Sequence, residues 1–311
     1  MTAYVTIGSR GSPLALWQAN WVRDQLRARE PGLGVDIHVI KTAGDRFLDA
    51  PLARVGGKGL FVKEIEDALL ARRVDLAVHS LKDVPAELPE GLILAAFPER
   101  EDPRDALVVR GGPLPSLDSL PRGARVGTTS LRRQSQLLAL RPDLAIESLR
   151  GNVGTRLDKV DRGEVDAILL AFAGLRRLGL ADRASYLFDA AELIPAVGQG
   201  VLAIETRTED DATRSRVGRL EAPASRTVVE AERAFLRRLE AGCLVPVGGH
   251  ATVDGERVSL TGIVASPDGT RTIRRAGAAA AADAAALGHE LAEEILAAGG
   301  GEILAAIAAA G

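Results

Sequence analysis

The period of the hydrophobic positions switches repeatedly along the chain. Tyr4 to Ile7 is a short β-rich run, and after Gly8-Ser9-Arg10-Gly11 the pair Ser12-Pro13 supplies a helix N-cap and a favoured first helical residue. Leu14, Trp17, Trp21 and Val22 then recur at i, i+3, i+7 and i+8, the spacing of one helix face, until Pro31-Gly32 stops the helix. Val35 to Ile40 predicts the next strand. Beyond the glycine-rich stretch Val55-Gly56-Gly57-Lys58-Gly59, the positions Val62, Ile65 and Leu69 mark a second helix, and Asp75 to His79 a buried strand. Strand and helix in alternation predict a largely parallel α/β sheet, whose ligands bind at loops leaving the carboxyl ends of strands.

Glu99-Arg100-Glu101-Asp102-Pro103-Arg104 is polar and carries a proline, which places a crossover there. A second α/β unit follows: strands over Arg125–Gly127, Ala145–Ser148 and Asp166–Leu170, a helix opened by Thr128-Thr129-Ser130, and another capped by Asn152 with Val153, Leu157 and Val160 on one face. Val201 to Glu205 reads as a strand able to return to the first sheet, making the first domain discontinuous. Past Glu221, a helix with Val228, Ala231, Phe235 and Leu239 precedes short strands around Val247–Val253, Arg257–Val264 and Arg271–Arg274. An alanine-rich helix with Leu287, Leu291 and Ile295 on one face follows. The expected division is residues 1–99 with 200–220 (α/β), 100–199 (α/β), and 221–311 (a small α+β domain).

At 311 residues the chain has room for two or three domains. With 46% hydrophobic and 26% charged residues and no apolar run near the ~20 residues of a membrane span, it reads as a soluble globular protein. Its start lacks the features of a signal peptide, so the expected location is cytoplasmic, without membrane partners. One cysteine, Cys243, excludes an internal disulfide, and His38, His79, His250 and His289 show no zinc spacing, so no metal is expected. Net charge is only −3, yet arginines cluster locally. Aromatic residues at 3% leave few stacking platforms, and acids are interspersed with the bases, which argues against nucleic acid.

Three strand-to-helix junctions carry hydroxyls and arginines where helix-start amides lack intrahelical partners: Ser9-Arg10-Gly11-Ser12, Thr128-Thr129-Ser130-Leu131-Arg132-Arg133, and Ser148-Leu149-Arg150-Gly151-Asn152-Val153-Gly154-Thr155-Arg156. Such junctions suit anions, because the amides and helix dipole favour negative charge and guanidinium groups fork onto carboxylates. Lys58 is followed by glycine, so the phosphate-loop pattern fails and nucleotide hydrolysis is not expected. Lys82 and Asp83 follow an apolar strand and emerge at a sheet edge; Asp83 reads either as a catalytic carboxylate or as the cap of the turn before Pro85. His79 reads as a hydrogen-bonded structural residue. Cys243, in a small-residue turn before Pro246, is either an exposed thiol or an inert one.

Taken together, Arg10-x-Ser12-Pro13-Leu14-Ala15-Leu16, Val55-Gly56-Gly57-Lys58-Gly59-Leu60-Phe61, His79-Ser80-Leu81-Lys82-Asp83-Val84-Pro85, Glu101-Asp102-Pro103-Arg104-Asp105, the junctions at 127–133 and 149–156, Ala196-Val197-Gly198-Gln199-Gly200 and Gly242-Cys243-x-Val245-Pro246 resemble the porphobilinogen deaminase family, in collinear order from about residue 4 to 250. The resemblance implies two domains like those of periplasmic binding proteins plus a third bearing the cofactor cysteine. It implies a dipyrromethane cofactor joined to Cys243 by a thioether, and condensation of four porphobilinogens, with loss of ammonia, to hydroxymethylbilane in tetrapyrrole (heme) synthesis by a monomeric transferase. Asp83, with Lys82, is the implied catalytic group, stabilising the positive charge that develops on pyrrole nitrogens. Arg10, Ser12, Lys58, Lys82, Thr128, Ser130, Arg132, Arg133, Arg150, Arg156, Arg177 and Gln199 are the implied cofactor- and substrate-binding residues. Thr6, Arg54 and Ala241 depart from the family pattern, where arginine, lysine and glycine are usual. The competing reading is a non-catalytic two-lobed anion-binding protein, in which Asp83 and Cys243 are incidental.

Overall fold

A computed structural model of the chain describes residues 4–46, 59–240 and 245–310. In chain order the first elements are β1 (Tyr4–Ser9), α1 (Pro13–Arg29), β2 (Gly34–Val39), α2 (Ala43–Arg46), α3 (Lys63–Leu70), β3 (Leu76–Ser80) and β4 (Leu92–Ala96). Next come β5 (Asp105–Val109), β6 (Arg125–Gly127), α4 (Leu131–Leu140), β7 (Ala145–Glu147), α5 (Val153–Asp161), β8 (Ala167–Ala171), α6 (Phe172–Arg177) and β9 (Tyr186–Leu187). The remainder is β10 (Leu202–Arg207), α7 (Asp211–Gly218), α8 (Pro223–Arg238), β11 (Val247–Asp254), β12 (Arg257–Ala265), β13 (Thr272–Ala280), α9 (Ala284–Ile295) and α10 (Gly301–Ala310). The chain divides into two compact units, residues 1–101 with 201–226 and residues 102–200 with 227–311.

The first unit is built on a sheet of order β2-β1-β3-β10-β4. β1 runs parallel to β2 and β3, while β10 runs antiparallel to both β3 and β4. The strand expected over Val201–Glu205 therefore does join this sheet. Side chains alternate between its faces: Val5, Ile7, Leu76, Val78 and Ile204 pack with Ala19, Val22 and Leu26 of α1, whereas Ala77 packs with Ile65, Ala68 and Leu69 of α3. Both faces are covered, so the strands read as nearly continuous apolar runs. On α1, Val22 is buried and Trp21 packs against the core as expected, but the rest of the face differs. Ala15, Gln18, Ala19, Val22 and Leu26 are buried and Trp17 is exposed, because small side chains, with one amide that finds a hydroxyl, let the helix lie close to the sheet.

The second unit carries a sheet of order β7-β6-β8-β5-β9. β6 is parallel to β7 and β8, and β5 is antiparallel to β8 and β9. Leu107, Val126 and Leu169 pack with Leu137 of α4 on one face, while Val108, Ile168 and Leu170 pack with Leu157, Val160 and Leu175 of α5 and α6 on the other. The same unit contains the antiparallel sheet β11-β12-β13. Gly288 on α9 presses against α8, and a Cβ there would lie 2.1 Å from the Ala231 carbonyl oxygen, so only glycine permits this helix spacing. Features with no counterpart in the sequence reading include β4, β5, β9, the helices α2, α6, α7 and α10, and the antiparallel course of β5 and β10. Strand β13 also runs six residues beyond the expected Arg274, to Ala280.

Candidate active site

Strand direction decides which residues can meet. In the first unit the parallel strands β1 and β3 end at Ser9 and Ser80, and antiparallel β10 begins at the same edge, with Leu202 opposite Ser80. Arg10, Ser12, Lys82 and Asp83 therefore all lie at one edge of this sheet. Ser12 caps α1, its hydroxyl accepting from the Ala15 N–H at 3.3 Å, with Pro13 in the first turn. The Arg10 guanidinium stacks over the Phe61 ring, 4.2 Å from its centroid, a contact that orients its plane. Lys82 and Asp83 stand half-buried in a 3₁₀ turn, Leu81–Asp83, whose Leu81 N–H donates to the Val201 carbonyl at 3.0 Å. Thr6 lies within β1, and its N–H donates to Asp75 at 2.8 Å.

The second unit repeats the arrangement. β6, β7 and β8 end at one edge, and Asp105 at the start of antiparallel β5 sits opposite Ala171 at the end of β8. Thr128 Oγ1 accepts from the Ser130 N–H at 3.1 Å, and Ser130 caps α4 by accepting from the Arg133 N–H at 3.4 Å. Gly151 has φ +122, and a Cβ there would meet Thr155 at 2.8 Å, so glycine is required before the cap. Asn152 then caps α5 through the Thr155 N–H at 2.9 Å. Arg150 is half-buried, and Arg156 Nε donates to the Gly151 carbonyl at 2.8 Å. Arg177, 8% exposed, donates to the Gly200 carbonyl at 2.7 Å.

Arg132 and Arg133 are buried and share one carboxylate. Arg132 Nη1 lies 2.7 Å from Asp105 Oδ2, while Arg133 Nε and Nη2 donate to Oδ1 at 3.0 and 2.7 Å. Gln199 Nε2 donates to the same Oδ1 at 3.1 Å and to the Pro103 carbonyl at 2.7 Å. Burial pulls the Arg132 pKa below its ordinary value, and Arg133 adds to that effect while Asp105 opposes it. Guanidinium remains charged regardless, so among the described residues two buried cations share one carboxylate. The Arg132 Nε, moreover, has no hydrogen-bond partner among the described residues. Sequence reasoning had presented both arginines toward a ligand and missed the carboxylate that holds them. The signal was available: Asp105 is a charged residue opening an otherwise apolar strand, Ala106 to Val109.

Cys243 and Lys58 lie outside the described residues, as do Arg54 and Ala241. The helix that precedes Ala241 and Cys243 in the chain ends at Arg238, and Glu240 takes the left-handed conformation, φ 51. A buried carboxylate, Glu232 on α8, accepts from the Gly198 N–H at 2.6 Å and the Ala251 N–H at 2.7 Å, tying the 196–200 loop to β11. His79 contacts Glu205 at 3.0 Å, in keeping with a structural role. Among the described residues no group of three or more His, Cys, Asp or Glu side chains could hold a metal ion, and no helix is long and apolar enough to cross a membrane.

Residues 5–215 match the family model described as porphobilinogen deaminase, dipyromethane cofactor binding domain, and residues 227–297 the porphobilinogen deaminase C-terminal domain. A curated porphobilinogen deaminase from Syntrophotalea carbinolica is 54% identical over 301 residues, covering 97% of this chain and 95% of the relative. One from Geobacter sulfurreducens is 50% identical over 301 residues, covering 97% and 94%. Among solved structures, the methionine binding protein MetQ overlaps loosely, with a TM-score of 0.45 and 14% identity over 70% of this chain and 89% of that one.

Proposed function

We propose that this chain, which belongs to the porphobilinogen deaminase family, joins four porphobilinogen molecules head to tail, with loss of ammonia at each addition, to give hydroxymethylbilane for tetrapyrrole synthesis. The reaction is a group transfer that forms carbon–carbon links between pyrroles. The near full-length likeness to curated porphobilinogen deaminases carries this reading. Dipyrromethane is the cofactor whose binding domain residues 5–215 match. Bound through the Cys243 thiol, it supplies a pyrrole primer from which the chain grows.

Each pyrrole unit carries an acetate and a propionate, so cofactor and product together need many cations. The donor set fits that demand. Among the described residues, the two guanidiniums share the single carboxylate of Asp105, and the buried Arg132 Nε has no hydrogen-bond partner. Arg150, Arg156 and Arg177 stand at the same sheet edge, with the Thr128 and Ser130 hydroxyls beside them. In the first unit Arg10, Ser12 and Lys82 occupy the corresponding edge, and Lys58 belongs to the same proposed set. Arginine suits carboxylates because its planar fork donates two parallel hydrogen bonds. Gln199 acts indirectly, holding Asp105.

Asp83 has the catalytic part. Projected from the β3 edge, its carboxylate accepts hydrogen bonds from pyrrole N–H groups. It thereby stabilises the positive charge that develops on the incoming substrate as ammonia leaves. Lys82 beside it binds a substrate carboxylate. The test is the intact mass of the purified protein beside its Cys243→Ser variant. An excess of two linked pyrroles, absent from the variant, is expected; no gain in mass even after incubation with porphobilinogen overturns the assignment.

A further inference from the structure

The β3–β10–α3 layer of the first unit buries three ionisable side chains that take no part in the proposed chemistry. His79 is 5% exposed, Glu205 0% and Glu66 6%. In the antiparallel ladder Ala203 pairs with His79, and Glu205 lies two residues along, so both project from the same sheet face, the one covered by α3. His79 Nε2 lies 3.0 Å from Glu205 Oε2. Glu66 enters from α3, and burial together with the negative charge of Glu205 pushes its carboxyl up to about 7. Oε1 of Glu66 and Oε1 of Glu205 have no hydrogen-bond partner among the described residues. An apolar trio would pack here without these desolvation costs.

What such groups add over apolar ones is direction. Apolar contacts tolerate sliding, whereas a buried hydrogen bond weakens steeply with misalignment. The next residue along β3 faces the opposite way and is held likewise: Ser80 Oγ accepts from Gln18 Nε2 at 2.9 Å, with Gln18 only 2% exposed on α1. Two successive residues are thus fixed by polar contacts on opposite faces of the sheet, the one at His79 buried and the one at Ser80 part-buried. Immediately beyond them the Leu81 N–H donates to Val201 and the Val84 N–H donates to Leu81, closing the turn that carries Lys82 and Asp83.

We infer that His79 and Glu205 are positioning residues for Asp83: their buried contact fixes the end of β3 from which the Leu81–Asp83 turn projects. The inference rests on the reading of Asp83 as the carboxylate of the reaction. Glu66, in its neutral form, completes the layer without adding a second charge beside Glu205.

The experiment compares Glu205→Leu, Glu205→Gln, His79→Leu and Asp83→Asn as dipyrromethane-loaded proteins, with rates expressed per loaded molecule. Glu205→Leu and His79→Leu should each lower kcat at least tenfold, with KM for porphobilinogen within twofold of the unmodified protein and the loaded mass retained. Glu205→Gln, whose amide oxygen still accepts from the imidazole N–H, should stay within threefold. Unaltered kcat in the loaded Leu variants overturns the inference, as does a Gln variant as slow as the Leu variant. A rise in KM matching the fall in kcat also overturns it. Asp83→Asn separates the two levels: full activity there sinks the assignment of Asp83 itself, whereas an inactive Asp83→Asn beside a fully active Glu205→Leu sinks only the positioning role.

Discussion

Removing the Asp105 carboxylate tests the central electrostatic feature of the second unit. Asp105 is fully buried and receives Arg132 at 2.7 Å, Arg133 at 2.7 and 3.0 Å, and Gln199 at 3.1 Å. Breaking a buried pair by deleting one partner costs about 3–5 kcal/mol, because a charge is left uncompensated. Here two guanidiniums lose their counter-ion, although each keeps a carbonyl acceptor, Ile194 for Arg132 and Leu169 for Arg133. Asp105→Ala should therefore destabilise by about 4 kcal/mol, a large share of the ~5–15 kcal/mol that holds a domain folded. Arg133→Met removes one of the two guanidiniums and leaves Arg132 paired with Asp105, so it should cost less, about 2 kcal/mol. Combined, the two changes should cost about 2 kcal/mol less than their sum, as expected for groups in direct contact. Urea unfolding followed by far-ultraviolet circular dichroism measures this; tryptophan emission would not, since Trp17 and Trp21 both lie on α1 of the other unit. A cost below about 1 kcal/mol for Asp105→Ala, or strict additivity in the cycle, would refute the reasoning.

Other expectations follow from single observations. Glu66 carries a carboxyl raised from its ordinary value of 4.5 to about 7, so the fold prefers it protonated. That contribution is complete below pH 4.5, is lost as pH rises through 7, and amounts to about 3 kcal/mol. Glu66→Gln should flatten the decline in urea stability between pH 4.5 and 7, and a slope equal to that of the unmodified protein would contradict it. Gly288→Ala drives a methyl to 2.1 Å from the Ala231 carbonyl oxygen and 2.9 Å from the Phe235 nitrogen, so α8 and α9 must separate. A loss of at least ~2 kcal/mol in the same urea assay is expected, in the range of overpacked cores. Glu240 holds φ 51 just after α8, where glycine meets no Cβ penalty. Glu240→Gly should leave thermal stability unchanged or raise it by up to ~1 kcal/mol, and a clear loss would show that the Glu240 side chain contributes there.

The strands and helices that the sequence disclosed are those with an unambiguous period or a cap, such as α5 behind Asn152 and α9 with Leu287, Leu291 and Ile295. β5 escaped because its apolar run begins with a charged residue and follows a proline-bearing polar segment, features that locally mimic a loop. The antiparallel insertion of β10 is a tertiary fact, and alternation alone could only allow it. The face of α1 was legible at Trp21 and Val22 but misjudged at Trp17, because tryptophan dominates any hydrophobic count, while close packing on the sheet favours Ala15 and Ala19. The candidate site shows the same division. Caps and arginines at strand ends were visible because backbone geometry demands particular residues there. Charge pairing was not, since Asp105 stands 27 residues before Arg132 and meets it only because β5 runs antiparallel to β8 at the edge where α4 begins. The same holds for His79 and Glu205, 126 residues apart. A sequence marks which side chains can bind an anion, but the sheet order decides which of their charges are already answered from within.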